Sequence, residues 1–417
     1  MLGVVAAQTT PAQKPPAVRG LGPIERVSAE PMASVTSAAV LADGRVYVND
    51  IVARRVLLFD STLATVRVVA DSTAATAKAY GARPGTLIAF RGDSVLFIDP
   101  ASGSMLVFSS DAKIDRIMAM PRTDGGAPFQ INGAFGFPGF DARGRMVSIV
   151  PVAAIGPGYP PTSGTHAELI PDSEFVVRFD FPSRRFDTVA VVRAPWLRIT
   201  IGRNDDGRIT SMAATPDLLP LVDEWALRPD GSIAIVRGHD FHVDVLGADG
   251  RWTSAPKMPF DWQHLDDGQK TTLIDSSLAV IKARRDSMDA VIAARPPIAA
   301  PDGGGGRGGR GGGGGGGPAG PPPAFIDVRP GLEDIPDYKP PFTRGSTRAD
   351  ADGNLWIRTT TIVKGQPVYD IVNARGELVD RVQLPPFRTI AGFGPGVVYM
   401  AVKDPTGVVH LERARVK

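Results

Sequence analysis

The chain has 417 residues and a formal net charge of +2, with 43% hydrophobic and 22% charged residues. This composition is typical of a folded globular protein, and the charge excludes a strongly basic nucleic-acid binder. Because the chain contains no Cys, disulfide bonds, Cys-ligated zinc and thiol catalysis are excluded as well. No apolar run reaches the roughly 18 residues of a membrane helix, so we expect no transmembrane segment.

The first residues resemble the end of a secretory signal. Residues 2–7 read Leu-Gly-Val-Val-Ala-Ala, an apolar stretch with small residues at its end. A charged start and most of an apolar core are missing, so the alternative is a frayed terminus rich in Ala and Thr. We assign residues 1–19 to a signal-peptide remnant and a flexible lead-in, and expect a periplasmic or secreted protein.

A tight turn followed by an alternating apolar strand, a short gap and a second strand recurs six times along residues 20–417. Asp-Gly and similar pairs make these turns, because Gly adopts a positive φ without steric cost. The turn glycines are Gly44, Gly92, Gly144, Gly231, Gly353 and Gly396. Their spacings of 48, 52, 87, 122 and 43 residues suit four-stranded blades of about 40–50 residues, provided that the two long spacings contain insertions. We expect residues 151–173 and 194–216 to form the first insertion.

The second insertion covers residues 262–340 and has two halves. Apolar residues at helical spacing predict a helix over 269–294, which Asp266 or Asp267 caps and Pro296 ends. The Gly- and Pro-rich tract 296–323 that follows is predicted to be disordered. We expect the helix to pack on the propeller face, with a membrane-surface or partner helix as the alternative.

The last repeat ends at Lys417 with only three strands, and residues 23–28 of the lead-in can supply the fourth. Such closure removes an exposed sheet edge. The predicted fold is therefore all-β, a six-bladed β-propeller closed by an N-terminal strand and carrying one helical and Gly-rich insertion. On its Asp-Gly hairpins, the chain resembles exported bacterial propellers of the NHL and TolB-like type.

The innermost strand of each blade should precede its turn, which places these strands at 34–39, 86–90, 135–140, 223–227, 342–348 and 389–393. Their ends at the channel entrance supply the candidate ligand-binding residues, which are Asn132, Asp223, Glu224, Arg344 and Arg388. Carboxylates beside guanidiniums favour a polar or anionic ligand, or a divalent cation as in propeller lactonases of the gluconolactonase group. The alternative is a structural salt-bridge network around a water-filled channel.

No catalytic motif accompanies the repeats. There is no Gly-x-Ser-x-Gly elbow, no phosphate loop and no His-Glu-x-x-His helix. His239 and His242, with Asp240 and Asp244, form the densest His/Asp cluster, but a metal there would need a further ligand. A gluconolactonase-type site uses a Glu early in the chain. The early glutamates here, Glu25 and Glu30, lie in the lead-in, which counts against such a site.

These observations favour a non-catalytic exported propeller over an enzyme. We expect it to be a monomer that binds a small molecule or a protein through its loop-rich channel face. It has no assigned cofactor, with Ca²⁺ or another divalent cation as the open possibility, and we expect no nucleic-acid partner. The alternative function is a metal-dependent hydrolase or lactonase with its site at the channel entrance.

Overall fold

A computed structural model describes residues 15–121, 131, 137–151, 164–170, 172–206, 208–293 and 324–416. Within these ranges the chain forms seven β-sheets, one α-helix and two short 3-10 helices, at Ala74–Thr76 and Leu332–Asp334. Three predicted features lie outside the described residues: the signal remnant before residue 15, Asn132 and the Gly/Pro tract 296–323. No helix in the described part of the chain is long and apolar enough to cross a membrane.

Six of the sheets are blades, each with four antiparallel strands arranged outward from a central channel, and one of these blades carries a fifth strand. Blade one contains β3 (Val35–Val40), β4 (Val46–Asp50), β5 (Arg55–Phe59) and β6 (Val66–Ala70). Blade two contains β7 (Thr86–Ala89), β8 (Val95–Asp99), β9 (Ser104–Phe108) and β10 (Ile114–Ala119). Blade three contains β11 (Gly139–Phe140), β12 (Met146–Pro151), β14 (Ser173–Asp180) and β15 (Arg185–Arg193).

The second half of the ring follows the same order. Blade four contains β18 (Glu224–Leu227), β19 (Ile233–Arg237), β20 (His242–Leu246) and β21 (Trp252–Ser254). Blade five contains β23 (Phe342–Ala349), β24 (Leu355–Val363), β25 (Gln366–Val372) and β26 (Leu378–Gln383). Blade six contains β27 (Arg388–Gly394), β28 (Val397–Lys403) and β29 (Val409–Arg415), and β2 (Ile24–Val27) is its outer strand.

The six turn glycines identified from the sequence join the first and second strands of the six blades. Their φ angles lie between 61° and 84°, a region in which an L side chain is strained. The six innermost strands also lie where the repeat places them, within a few residues. The predicted six-bladed β-propeller is confirmed.

Apolar side chains fill the space between every pair of neighbouring blades and close the ring. Trp225 packs with Val147 between blades three and four, and Trp356 packs with Met400 between blades five and six. The last blade meets the first through Tyr399 and Val46, which share one buried cluster. Because each blade has an apolar surface on both sides, no blade can be buried except by two neighbours.

The N-terminal segment ties blades five and six together. Strand β2 pairs antiparallel with β29, and Glu25 on it accepts hydrogen bonds from Arg413 and Arg415. Ahead of it, β1 (Val18–Gly20) pairs parallel with β26, so that blade five gains a fifth strand. Val18 and Arg19, assigned above to the lead-in, therefore belong to the ring.

The seventh sheet, which we call the insertion sheet, is built outside the ring. It contains β13 (Gly164–Ile170), β16 (Leu197–Arg203), β17 (Ile209–Pro216) and β22 (Ala324–Asp327) in that order. Helix α1 (Asp267–Ala293) begins with Asp266 and Gln269 capping each other's backbone N–H groups. An Arg285–Asp327 ion pair joins this helix to β22 at 2.6 Å.

All insertions leave the ring on one side. In an antiparallel four-stranded blade, the connection from the second to the third strand and the connection to the next blade lie on the same side. The segments 120–138, 152–172, 194–223 and 255–341 are all connections of these two kinds. We call this side, where the innermost strands begin, the upper face.

Candidate functional site at the channel mouth

A cavity of about 590 Å³ opens where the innermost strands begin on the upper face. Its walls come from blades one, two, five and six and from the segment before β11. They are mostly aliphatic or carry hydroxyl groups, and include Val35, Thr36, Thr86, Leu87, Phe137, Arg348 and Thr389. The size suits a small organic ligand.

Arg348, near the end of β23, brings a charge into this apolar cavity. Its guanidinium lies 3.7 Å from the centroid of the Phe137 ring, a cation–π contact. It forms no ion pair or hydrogen bond with any described residue. Burial lowers the pKa of Arg348 to about 10, so the group stays charged at neutral pH. An unpaired guanidinium in an apolar wall can bind an anion at the channel mouth.

Glu224, one of the predicted residues, begins the innermost strand of blade four and is buried. Its carboxylate accepts hydrogen bonds from the backbone N–H groups of Gly345, at 2.8 Å, and Thr347, at 3.2 Å. Burial raises its pKa to about 7, against the lowering by these backbone hydrogen bonds. Gly345 lines the cavity, so Glu224 holds a strand segment of the cavity wall and titrates near neutral pH.

Arg344 and Arg388, both predicted, are each held by a carboxylate. Arg344 contacts both carboxylate oxygens of Glu174, at 2.7 and 2.6 Å. Arg388 binds Glu412 through two hydrogen bonds of 3.0 and 2.9 Å. These pairs satisfy both carboxylates and leave less capacity for a ligand than Arg348 has.

Asp223, the fourth predicted residue in the described ranges, belongs to a polar chain on blade four. It pairs with Arg237 at 2.8 Å, and Arg237 also binds Asp244 at 2.8 Å. Asp244 in turn contacts His242 Nε2 at 3.2 Å, and Asp240 contacts Nδ1 of the same ring at 2.6 Å. The His/Asp cluster noted in the sequence is therefore one end of an ion-pair network. With Asn132 outside the described residues, the five-residue ligand site stays a prediction.

A divalent cation finds no ready set of ligands in the part of the chain that the structure describes. No group of three or more His, Asp or Glu side chains there could hold a metal ion. At the channel mouth, Glu224 already accepts backbone hydrogen bonds. The described residues thus do not fit the metal-dependent form of the alternative.

Arg348 was missed as a site residue although it lies on a strand that the sequence located. Only residues at the beginnings of the innermost strands were selected, and Arg348 is near the end of β23. Its distinguishing property is that no described carboxylate pairs with it, and this depends on which side chains the fold brings near. The one sequence signal was a charged residue on a strand otherwise expected to line a channel.

No protein-family model matches the chain, and no curated protein matches it. Solved structures that resemble it include a gluconolactonase from Xanthomonas campestris, with a TM-score of 0.41, 10% identity and coverage of 97% of this chain and 99% of that one. A PQQ-bound aldose sugar dehydrogenase from Streptomyces coelicolor has a TM-score of 0.38 and 10% identity, with coverage of 96% of this chain and 99% of that one. A calcium-binding regucalcin from Agrobacterium tumefaciens has a TM-score of 0.33 and 10% identity, with coverage of 96% of this chain and 98% of that one.

Two sequence-based predictions are corrected by this comparison. The preference for a non-catalytic propeller over an enzyme is corrected, because the similar structures are mainly enzymes. The preference for no cofactor, which left Ca²⁺ or another divalent cation open, is corrected as well, because one similar protein is described as calcium-binding and another as bound to PQQ. TM-scores of 0.41 or less assign no activity to this chain, whose own sheet order makes it a β-propeller.

Proposed function

We propose that this propeller is a hydrolase that cleaves a small anionic ester or lactone at the channel mouth. The observation that carries the proposal is Arg348, a guanidinium with no ion pair to any described residue, on the wall of a mostly apolar cavity of about 590 Å³. Charges in apolar surroundings are normally compensated, and a substrate anion would compensate this one. The aliphatic and hydroxyl-bearing walls suit the uncharged remainder of such a substrate.

Glu224 is the candidate for the proton transfers of the reaction. In hydrolysis, a water oxygen bonds to the substrate carbonyl carbon, Glu224 accepts the water proton, and the carbon–oxygen bond to the leaving group breaks. Glu224 then returns the proton to the departing oxygen. A pKa of about 7 suits both steps at neutral pH, and Glu224 Oε1 lies 2.8 Å from the nitrogen of Gly345, a wall residue.

The proposal is tested by following proton release from a panel of lactones and carboxylic esters with and without an added negative charge. Glu224→Gln should lower kcat by about a hundredfold or more, and the wild-type rate should rise with pH through about 7. Arg348→Met should raise KM for the charged substrates while leaving the neutral ones unchanged. Arg251→Met, at an arginine whose side chain is 87% exposed, is the matched control.

Turnover that survives both Glu224→Gln and Arg348→Met would contradict the proposal, and so would the absence of any turnover. Parallel reactions with a chelator and with added Ca²⁺ test whether a metal takes part.

The remaining sequence-based assignments are proposals of the same standing. We propose a periplasmic or secreted monomer of the NHL/TolB-like type that takes a small molecule as its ligand. Fractionation of the native cells and sedimentation of the purified chain test location and oligomeric state.

A further inference from the structure

A second, smaller cavity of about 180 Å³ lies beside the channel mouth, between blades five and six. Since a water molecule occupies about 30 Å³ in the liquid, this side pocket has room for roughly six waters. Its wall is unusually polar for a contact between blades, with Ser346, Arg348, Arg358, Tyr369 and Thr389 around Trp356.

The strand register explains why these side chains meet. Arg348 on β23 is opposite Trp356 on β24, and Arg358 on β24 is opposite Tyr369 on β25. Residues two apart on a strand, and residues opposite each other on paired strands, share one face of the sheet. That face of blade five packs against blade six. Its Trp356 and Tyr369 belong to the buried apolar cluster between the two blades. Arg348, which is half-buried, thus interrupts an otherwise apolar contact, and Arg358 lies at its exposed edge.

Neither arginine is paired with a carboxylate among the residues that the structure describes. Arg348 and Arg358 form no ion pair or hydrogen bond with any described residue. By contrast, Arg381 in the same blade is held by Asp370 at 3.0 Å. Two neighbouring guanidiniums repel each other, and no acidic side chain lines the pocket.

Ser346 provides a separate indication. It is only 7% exposed, and its Oγ has no hydrogen-bond partner in the described part of the chain. Buried hydroxyl groups are nearly always hydrogen-bonded, so an unpaired one needs an explanation. Here the hydroxyl lines the same pocket as the guanidiniums of Arg348 and Arg358.

We propose that the side pocket binds the phosphoryl group of a phosphate monoester, with Arg348 and Arg358 as its charge partners and Ser346 as a hydrogen-bond donor. A phosphoryl group carries nearly two negative charges and three strong acceptor oxygens, which matches two guanidiniums and a hydroxyl. A carboxylate carries one charge and would neutralise only one arginine. This inference rests on the proposed function in one respect: it makes the substrate a phosphorylated one.

Calorimetric titration of the full chain with inorganic phosphate, phenyl phosphate and benzoate tests the proposal without depending on turnover. Both phosphates should bind, and Arg348→Met and Arg358→Met should each weaken binding by about tenfold or more. Arg251→Met should leave it unchanged. Ser346→Ala should weaken binding without lowering the stability of the ligand-free protein, since its hydroxyl has no partner to lose. Phenyl phosphate should bind more tightly at pH 7.5 than at pH 5, because its second proton leaves near pH 6.

Failure to bind either phosphate would overturn the proposal, as would binding that Arg358→Met leaves unchanged. Benzoate binding as tightly as phenyl phosphate would also overturn it, because the pocket would then select carboxylates. Phosphate binding without hydrolysis of any substrate leaves this inference standing and refutes the proposed function. Hydrolysis without phosphate binding refutes this inference and leaves the proposed function standing.

Discussion

Replacing Glu224 by Gln should abolish a pH dependence of folding stability that the wild-type chain carries. Burial raises the pKa of Glu224 from its ordinary value of 4.5 to about 7. Between these values the folded state keeps a proton that the unfolded state releases, so the free energy of unfolding falls as pH rises through this window. One pKa unit corresponds to about 1.36 kcal/mol. The loss from below pH 4.5 to above pH 7 is therefore about 3 kcal/mol.

Urea unfolding of the wild type and of Glu224→Gln between pH 4 and pH 8.5 measures this difference. Asp370 and Asp217, whose pKa values burial raises to about 6, also weaken the fold as pH rises. Both chains contain them, so the difference between the two curves isolates Glu224. The wild type should lose about 3 kcal/mol relative to the variant over this range. Parallel curves would refute the assignment of a raised pKa to Glu224 and, with it, the case for Glu224 as the proton carrier.

Four further outcomes follow from the packing. Gly353→Ala should lower the free energy of unfolding by about 1 kcal/mol, because its φ of +84° strains an L residue even though the added methyl meets open space. Gly231→Ala should lower it further, because its Cβ would also lie 2.7 Å from the nitrogen of Ala142. Equal losses in urea unfolding would contradict this. Trp356→Phe removes the 3.0 Å hydrogen bond from Nε1 to buried Asp350 and should cost about 1–3 kcal/mol, whereas unchanged stability would mean that this bond contributes nothing. Deleting residues 15–28 removes β1 and β2, so the thermal midpoint should fall and light scattering should report aggregation; an unaltered midpoint would show that these strands are dispensable. Deleting residues 303–317, which lie outside the described residues, should shift the free energy of unfolding by no more than about 1 kcal/mol, and a larger loss would show that the tract is ordered.

Local chemistry explains why the ring was predictable. The positive φ at a turn, as at Gly44 and Gly396, requires a Gly for reasons of local backbone geometry alone. The alternation of apolar residues after the turn follows from a strand with one buried face. The position of residues 23–28 as the missing strand followed from counting strands. These features recur in six copies, so an error in one blade does not change the fold.

The insertion sheet was not predictable in the same way. Strand β17 pairs with β22, so Ser211 lies beside Ala324, more than a hundred residues away in the chain. No local pattern specifies such a partner, and residues 194–216 were expected to form only an insertion. Alternation in Leu197–Arg203 indicates a strand but not its neighbours.

The predicted ligand site stays a prediction, and the structure shows what its described arginines contact. Glu224 is hydrogen-bonded to the backbone of the wall residue Gly345, whereas Arg344 and Arg388 are held by Glu174 and Glu412. Whether an arginine has an ion-pair partner depends on the carboxylates that distant strands bring to it. The sequence alone does not indicate which carboxylates these are. Arg348 and Arg358 emerge only after the register of β23 and β24 is known.

The closure of blade six by β2 limits the order in which this chain can fold. Glu25 contacts Arg415 across 390 positions of sequence, so β2 has no partner strand until β29 has been made. During synthesis, blades one to four can pack on one another while β2 has no partner strand. Contacts this distant in sequence slow folding, because the entropy of closing the loop is lost before they form. The pairing of β2 with β29 should therefore be a late step, and a factor that shields the waiting edges would raise its yield.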